Sequence, residues 1–399
     1  MSENLGLTIQ ALPLILYGIG KYGKGIFEIL ERQKMKISAV CVDKKFHNPE
    51  EELWNGLPIY RLEEVHEKFE QFNIVIGFYE IMWSKDLKIK GCKGIYFWND
   101  GGQFVSNSEW PFIEKQMNEF YKGDITALNI KNAVHLFFGC ERTGVEFLNY
   151  DLQRDRISLR TADGLILITN SYYFTFIETF CKEIYARYKK HFDDKEYVLY
   201  DIGANRGYTS LYFSKDTNCK HIFSFEPDSE TLAYFYTNLK LNPNVSDKIS
   251  ILEYGLFDAN EKLSFFKTLD GADWVNTFDK NLIANAWNAN RTSNFQEIKL
   301  QVYKASEAIT KLNIEHKISP EINKVIKIDA EGAEYAILSE LKESGLLNNF
   351  KVIFGECHNG IEGVMNICKD DFELKQCLKE EGDADGLLNF ILLNKKTLV

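Results

Sequence analysis

The segment YVLYDIGANRGYTSLYF, Tyr197 to Phe213, constrains this chain more than any other. Four apolar residues, Tyr197 to Tyr200, read as a buried strand that ends in an acid, Asp201. A turn with Gly203 and Gly207 follows, and a helix opens at Tyr208. Glycines at such a turn let a bulky polar cofactor approach the backbone, because no Cβ stands in the way. A carboxylate beside the loop repels a pyrophosphate and suits a cationic ligand that donates hydrogen bonds. The segment therefore points to S-adenosylmethionine rather than NAD.

Composition sets the outer bounds. With 399 residues the chain is long for one domain, and two are the natural expectation. A net charge of −11 argues against nucleic acid or an anionic membrane surface as the main partner. The eight cysteines are scattered without a CxxC pair, so free thiols in a reducing compartment are expected rather than a zinc ribbon or disulfide framework. The first twenty residues have no basic leader and too short an apolar run to span a bilayer. A cytoplasmic protein without stable membrane insertion is expected, with self-association into a homo-oligomer left open.

The alternation of strands and helices predicts an α/β protein in three parts. Residues 1–110 read as a small Rossmann-like domain: Leu12 to Tyr17 is a strand, GIGKYG a turn, and Ile37 to Val42 a second strand ending at Asp43. Residues 111–196 read as a connector packing on the second domain. It holds a helix from Trp110 to Tyr121, a hairpin turning at Asp163-Gly164, and a helix from Phe174 to His191. Residues 197–399 read as a doubly wound domain with strands Val198–Asp201, His221–Glu226, Ser250–Gly255, Val325–Asp329, Val352–Glu356 and Leu388–Leu393.

Open α/β sheets bind ligands at the carboxyl ends of their strands, where the strand order reverses. The chemistry-bearing residues of the third part fall there. Asp201, Gly203, Ala204, Asn205 and Gly207 follow the first strand. Glu226-Pro227 ends the second, about 20 residues beyond the glycine turn, the spacing at which an acid reaches ribose hydroxyls. Asp258 follows the third, a candidate acceptor for an adenine amino group, and an ordinary turn residue otherwise. The fourth leads into IKIDAEGAEYAIL with Lys327, Asp329, Glu331, Gly332 and Glu334, and the fifth into GECHNG with Glu356 and His358.

Taken together, YDIGANRGYTSLYF, FSFEPDSETLAYFYTNLKLN, GLFD, KIDAEGAEYAIL and the ECH run resemble the FkbM-type S-adenosylmethionine-dependent methyltransferases over about Phe174 to His358. The resemblance implies a class I methyltransferase domain that O-methylates a hydroxyl, often on a sugar or polyketide-like metabolite, as in tailoring of bacterial surface polysaccharide. It assigns Asp201, Gly203, Asn205 and Gly207 to the cofactor loop, Glu226 to the ribose and Asp258 to the adenine. Lys327, Asp329, Glu331, Gly332 and Glu334 match the acidic signature at the reacting end, and Glu356 and His358 the later acid and histidine. Ala330 departs from a more usual β-branched residue, and Arg206 from an apolar one, which makes Arg206 a candidate contact for an acidic substrate.

Methyl transfer from a sulfonium needs alignment and a base for the acceptor's proton. Candidate catalytic residues are Asp329, His358, Lys327 and Glu331; Glu334 and Glu356 are candidates for orienting substrate. The blander readings are a structural histidine at His358, a helix cap at Glu226, and helix-dipole complements at Glu331 and Glu334. The oxygen-rich cluster also suits a divalent metal, a reading not favoured because no dedicated ligand spacing accompanies it.

Two further motifs bear on substrate. The insertion from Lys267 to Glu297 carries Trp274, Trp287, Asn276, Asn285, Asn288, Asn290 and Arg291, aromatics and amides that suit a sugar's apolar face and hydroxyls. The N-terminal Gly18, Gly20, Gly23 and Asp43 form a nucleotide-type turn, open to structural docking, a nucleotide-sugar or NAD. This unit resembles the small N-terminal domains of sugar-modifying enzymes. The expected substrate is a sugar, nucleotide-sugar or glycan; the alternative function is a nucleotide-sugar-binding or scaffold protein with a degenerate methyltransferase domain.

Overall fold

The computed structural model describes residues 9–77, 87–99, 103–128, 130, 133–269, 273, 276–280, 282, 295–378 and 388–397. Backbone proximity divides the chain into two compact units, 1–155 with 381–383, and 156–380 with 384–399. The boundary falls inside the expected connector 111–196, which therefore forms no unit of its own.

The first unit is a seven-stranded sheet. Its strands are β1 (Leu14–Tyr17), β2 (Ile37–Val42), β3 (Leu53–Trp54), β4 (Leu57–Arg61), β5 (Phe72–Ile76), β6 (Cys92–Trp98) and β7 (Phe104–Ser106), in spatial order β3-β4-β2-β1-β5-β6-β7. The central strands are parallel, and helix α1 (Lys21–Arg32) crosses from β1 to β2. Helices α2 (Trp110–Phe120) and α3 (Ala133–Thr143) and strand β8 (Glu146–Asp151) complete it.

The second unit opens on an antiparallel pair, β9 (Arg156–Arg160) and β10 (Ile166–Thr169), turning where Asp163-Gly164 predicted; Gly164 takes φ +92°. The aromatic stretch that follows is not one helix. It runs as a short α turn at Phe174–Phe176, a π turn at Ile177–Cys181, and a last turn at Ala186–Lys189. The Lys182 N–H reaches back five residues to the Ile177 carbonyl, and Glu183 adopts φ +50°, which ends the helical run.

The main sheet contains β11 (Tyr197–Ile202), β12 (Cys219–Phe225), β13 (Ile249–Leu252), β17 (Asn323–Ile328), β18 (Val352–Cys357), β19 (Phe372–Leu378) and β20 (Leu388–Asn394). Its order is β13-β12-β11-β17-β18-β20-β19, parallel throughout except for β20, which runs antiparallel to both its neighbours. This is the doubly wound, Rossmann-like arrangement expected from the sequence. The order reverses between β11 and β17, so the crevice for a ligand opens at their carboxyl ends.

Helices α4 (Tyr208–Ser214), α5 (Ser229–Leu241), α6 (Ala305–Glu315), α7 (Glu334–Glu343) and α8 (Ile361–Cys368) make the crossovers. Residues alternate between sheet faces with period two. Val198, Tyr200 and Ile202 share one core with Ile309 and Leu312 of α6 and Ile337 and Leu341 of α7. On the aromatic side Phe192 stacks on Phe354 and meets Tyr197 edge-on.

A second, small sheet was not foreseen. It holds β14 (Gly255–Phe257), β15 (Glu261–Thr268) and β16 (Phe295–Lys304) in the order β14-β16-β15. The expected strand Ser250–Gly255 therefore stops at Leu252, and the GLFD run starts a strand of this second sheet. Pairing of Thr268 with Phe295 closes the insertion into a stem. Among the described residues no helix is long and apolar enough to cross a membrane. The eight cysteines are all free.

Two glycines of the cofactor-type loop are required for different reasons. Gly203 (φ +76°) lies against Asp329, and a Cβ there would overlap that residue's backbone carbonyl. Gly207 (φ +80°) lies against the ring of Phe235, which has room to be trimmed. Gly203→Ala and Gly207→Ala are each expected to lower the unfolding free energy, by about 1–3 kcal/mol or more. Adding Phe235→Leu should recover part of the loss for Gly207→Ala and none for Gly203→Ala in urea denaturation. Equal recovery in both would contradict the packing described.

Candidate active site

The loop after β11 is built by left-handed backbone at Gly203, Asn205 and Gly207. The Gly203 and Ala204 N–H groups donate to the Phe225 carbonyl, joining the loop to the end of β12. Next in the chain from that strand, Glu226 accepts the Asn205 N–H at 3.0 Å on one oxygen and the Asp228 N–H at 2.8 Å on the other. Burial pushes its carboxyl up to about 8. Asp228 caps α5 through the Thr231 N–H and hydroxyl, and Lys267 of β15 pairs with Asp228 at 2.9 Å. The ribose-type acid is thus held by the loop, a helix cap and the stem of the insertion.

Asp201 is fully enclosed, at 0 % exposure, and is not placed to offer its charge to a ligand. One oxygen accepts the Ser210 hydroxyl at 2.5 Å, and the other faces the Lys327 ammonium at 3.4 Å. Burial raises its pKa, with Lys327 and Ser210 opposing. Its counter-cation is a lysine of the protein, so Asp201 builds the loop from beneath. Lys327 is also enclosed. Its ammonium donates to the Gly203 carbonyl at 2.8 Å and lies 3.5 Å from Asp329. Burial would lower its pKa, but Asp329 and Asp201 hold it above the usual lysine value. Buried between two carboxylates, Lys327 positions rather than reacts.

The reacting-end residues gather beyond β17 and β18. His358 keeps 10 % of its side chain exposed and lies between two glutamates. Its Nδ1 is 3.0 Å from Glu334 Oε1; its Nε2 is 3.2 Å from Glu331 Oε2 and 4.0 Å from Asp329 Oδ1. Burial pulls the imidazole down, yet Glu331 and Glu334 together hold it well above its ordinary value. Glu334, first residue of α7, is buried and accepts the Ala330 N–H at 2.9 Å and the Gly332 N–H at 3.1 and 3.2 Å. Burial pushes its carboxyl up, but His358 and these donors keep it below the usual range. That position makes Glu334 a support for His358 instead of a substrate contact.

Glu331 stands outside the helix at φ +49°, its carboxyl raised by burial against the pull of His358. Asp329 is 24 % exposed at the side chain, yet its Oδ1 is shut off from solvent and accepts no hydrogen bond. Asp329, Glu331 and His358 offer three donor atoms within 4.8 Å of one another. Glu356 lies on β18 beside Asn389, whose amide is 3.4 Å away. Asp258 follows β14 of the small sheet, and Pro227 packs near Gly255.

The described part of the insertion meets both ends of the site. Thr277 donates its hydroxyl to the Glu331 carbonyl at 2.5 Å, and Gly332 backs onto Asp279 and Leu282. Asn276 is buried and accepts the Thr268 N–H at 2.8 Å, so it closes the stem and is not free for a sugar. Trp274, Trp287, Asn285, Asn288, Asn290 and Arg291 lie outside the described residues.

Arg206 is corrected most sharply. At 1 % exposure it cannot greet a substrate. Its Nε donates to Asp273 of the insertion at 2.6 Å, and a terminal nitrogen donates to Thr169 Oγ1 and Asn170 Oδ1 at 3.0 and 2.8 Å. Its guanidinium lies over the Tyr234 ring at 4.5 Å. Sequence reasoning missed this clamp, since Asp273 is one acid in a long insertion. It also missed Tyr185, a buried tyrosine whose ring centre is 5.9 Å from the Lys327 ammonium.

In the first unit, Gly23 and Gly77 both back onto the Gly18 carbonyl, whereas Gly20 has open space where a Cβ would stand. Asp43 accepts the Tyr17 hydroxyl at 2.7 Å. Gly23 accounts for close backbone packing against Gly18, and the acid already has a donor within the fold.

Residues 201–383 match the family profile of the methyltransferase FkbM domain. The chain is similar in structure to the methyltransferase FkbM of Methylobacillus flagellatus KT, at 12% identity and TM-score 0.35, over 97% of this chain and 92% of that one. An uncharacterized protein from Listeria monocytogenes serotype 4b gives 9% identity and TM-score 0.32, over 54% and 68%. TrmK of M. capricolum, solved with S-adenosyl-homocysteine, gives 12% and 0.29, over 50% of this chain and 62% of that one. No curated protein matches the chain.

Removing the Arg206 charge leaves Asp273 buried without a counter-ion. Arg206→Met should therefore cost about 3–5 kcal/mol of stability in chemical denaturation, with Arg206→Lys recovering part of it. A loss below about 1 kcal/mol, the scale of an exposed pair, would contradict the clamp.

Proposed function

The chain carries a methyltransferase FkbM domain over residues 201–383, and from that premise we propose that it transfers a methyl group from S-adenosylmethionine to a hydroxyl of a sugar or glycan precursor. One observation carries the reading. A buried ribose-type acid, Glu226, and an acid–imidazole cluster, Asp329, Glu331 and His358, stand at the ends of strands on either side of the point where the strand order reverses.

The residues present fit the cofactor. Each Glu226 oxygen accepts one backbone N–H and keeps a lone pair, as two ribose hydroxyls require. The loop 203–207 turns through left-handed backbone at Gly203, Asn205 and Gly207, which brings the Asn205 N–H to Glu226. The carboxylates of Asp329 and Glu331 suit a sulfonium charge. When bound, S-adenosylmethionine supplies an electrophilic methyl group. The chain's own residues do the rest. Lys327 keeps the neighbouring carboxylates from repelling one another, and Glu334 fixes the His358 ring through Nδ1. Asp329, Glu331 and His358 receive the acceptor hydroxyl and its proton. The contact of Thr277 with Glu331 brings the insertion beside this cluster, which supports a role for the insertion in choosing the acceptor.

Calorimetry with S-adenosylmethionine tests the reading. Glu226 is protonated below about 8 in the free protein, while ribose hydroxyls donate to the carboxylate. Binding therefore releases a proton, and affinity should rise with pH, by up to about tenfold per unit, then level off above that value. Glu226→Gln should weaken binding at pH 9 and flatten the profile. Absence of binding at every pH would sink the proposal. For the acceptor, mass spectrometry of nucleotide-sugars incubated with enzyme and cofactor should show the gain of one methylene.

A further inference from the structure

We propose that Asp329, Glu331 and His358 form a divalent-cation site that takes a first-row transition ion such as Mn²⁺. The inference rests on the methyltransferase reading and refines it: with the ion bound, these residues act on the acceptor hydroxyl through it.

The sequence offered carboxylates without a ligand spacing, and the fold supplies what was missing. Asp329 and Glu331 come from the loop after β17, and His358 from the end of β18 on the adjoining strand. Bonds of about 2.1 Å from one ion place neighbouring donors about 3.0–3.5 Å apart. His358 Nε2 and Glu331 Oε2 are already 3.2 Å apart, and Nε2 and Asp329 Oδ1 are 4.0 Å apart. All three donor atoms lie within 4.8 Å of one another, so side-chain rotation of about 1 Å closes the set.

Two observations besides the donor spacing point to a ligand. Asp329 Oδ1 is shut off from solvent and receives no hydrogen bond, while the other Asp329 oxygen faces Lys327. A buried carboxylate oxygen with no donor is costly unless something positive occupies the space before it. The second is the arrangement around His358, whose side chain is nine-tenths buried. Its Nδ1 is engaged by Glu334, and Glu334 is itself held by the Ala330 and Gly332 N–H groups. A carboxylate behind a histidine sets its tautomer and turns the opposite nitrogen toward a metal. That nitrogen, Nε2, faces the two remaining carboxylates.

One imidazole and two carboxylates favour Mn²⁺, Fe²⁺ or Zn²⁺ over Mg²⁺ or Ca²⁺, which prefer oxygen alone. Three protein ligands leave coordination positions for oxygen atoms of an acceptor. An acceptor with adjacent hydroxyls or a carboxylate beside its hydroxyl is the class such a site would select.

The test uses the full chain stripped with a chelator and titrated with Mn²⁺ alone, followed by calorimetry and by loss of the free-ion electron paramagnetic resonance signal. One ion per chain is expected. His358→Ala and Asp329→Asn should each weaken binding by about a hundredfold, and the supporting variant Glu334→Gln by about tenfold. His221→Ala, at the tilted His221–His316 ring pair elsewhere in the unit, should leave it unchanged. Circular dichroism and a thermal melt report the fold of each variant, and the isosteric Asp329→Asn carries the test should His358→Ala unfold. No bound Mn²⁺ in the wild type, or equal binding in Asp329→Asn, overturns the site. S-adenosylmethionine is titrated into the same stripped protein. Its binding without Mn²⁺ binding overturns this inference alone, and failure of both removes the methyltransferase reading as well.

Discussion

One buried ammonium group organises the second unit. Lys327 sits where β11 and β17 run parallel, in register with Asp201, and reaches three oxygen-bearing groups at once. It neutralises Asp201 within the core, faces Asp329 at the reacting end, and bonds the Gly203 carbonyl between them. An ionised aspartate with no solvent access would otherwise cost several kcal/mol. Removing one partner of such a set strands the others, so the cofactor-type loop and the acidic motif stand or fall together. The backbone repeats the connection: Asp329 N–H donates to the Ile202 carbonyl, and Gly203 has no room for a side chain against Asp329.

Around that centre the site is assembled by second-layer contacts instead of loose loops. Glu226 is fixed by backbone donors, His358 by Glu334, and Glu334 by the turn that precedes α7. The insertion is tied in by Lys267 to the Asp228 helix cap, by Asp273 to Arg206, and by Thr277 to Glu331. The last tie reaches the acid–imidazole cluster itself, and the other two anchor the insertion to the cap beside Glu226 and to the glycine loop. Positioning of this kind supplies much of the rate in a reaction that mainly needs alignment.

The strand ends were legible in the sequence, because apolar runs of four to six residues ending in Asp, Glu or Gly leave little choice of fold. Glu226, Asp329, Glu331 and His358 could be named for that reason. Partners were not legible, since which acid faces which base is set by register between strands far apart in the chain. Asp201 thus read as a ligand-facing charge, whereas the neighbouring strand supplies its counter-ion. Arg206 read as a substrate contact because nothing local marks Asp273 as its partner, 67 residues away. In the stem, Ile298, Leu300 and Val302 of β16 alternate with polar residues as a half-buried strand does, but its partner β15, EKLSFFKT, has no such alternation and gives no sign of the pairing. Asn276 read as a sugar-binding amide for the same reason: its closing hydrogen bond to Thr268 exists only once the stem has formed.

The central claim is that Glu226 and the Asp329–Glu331–His358 cluster bracket one cofactor. A crystal structure of the protein with S-adenosylhomocysteine tests it most directly. The ribose hydroxyls are expected within hydrogen-bonding distance of Glu226, with the sulfur turned toward Asp329 and His358. Density for the nucleoside only at the Gly18–Gly23 turn of the first unit, or with its ribose away from Glu226, would contradict it.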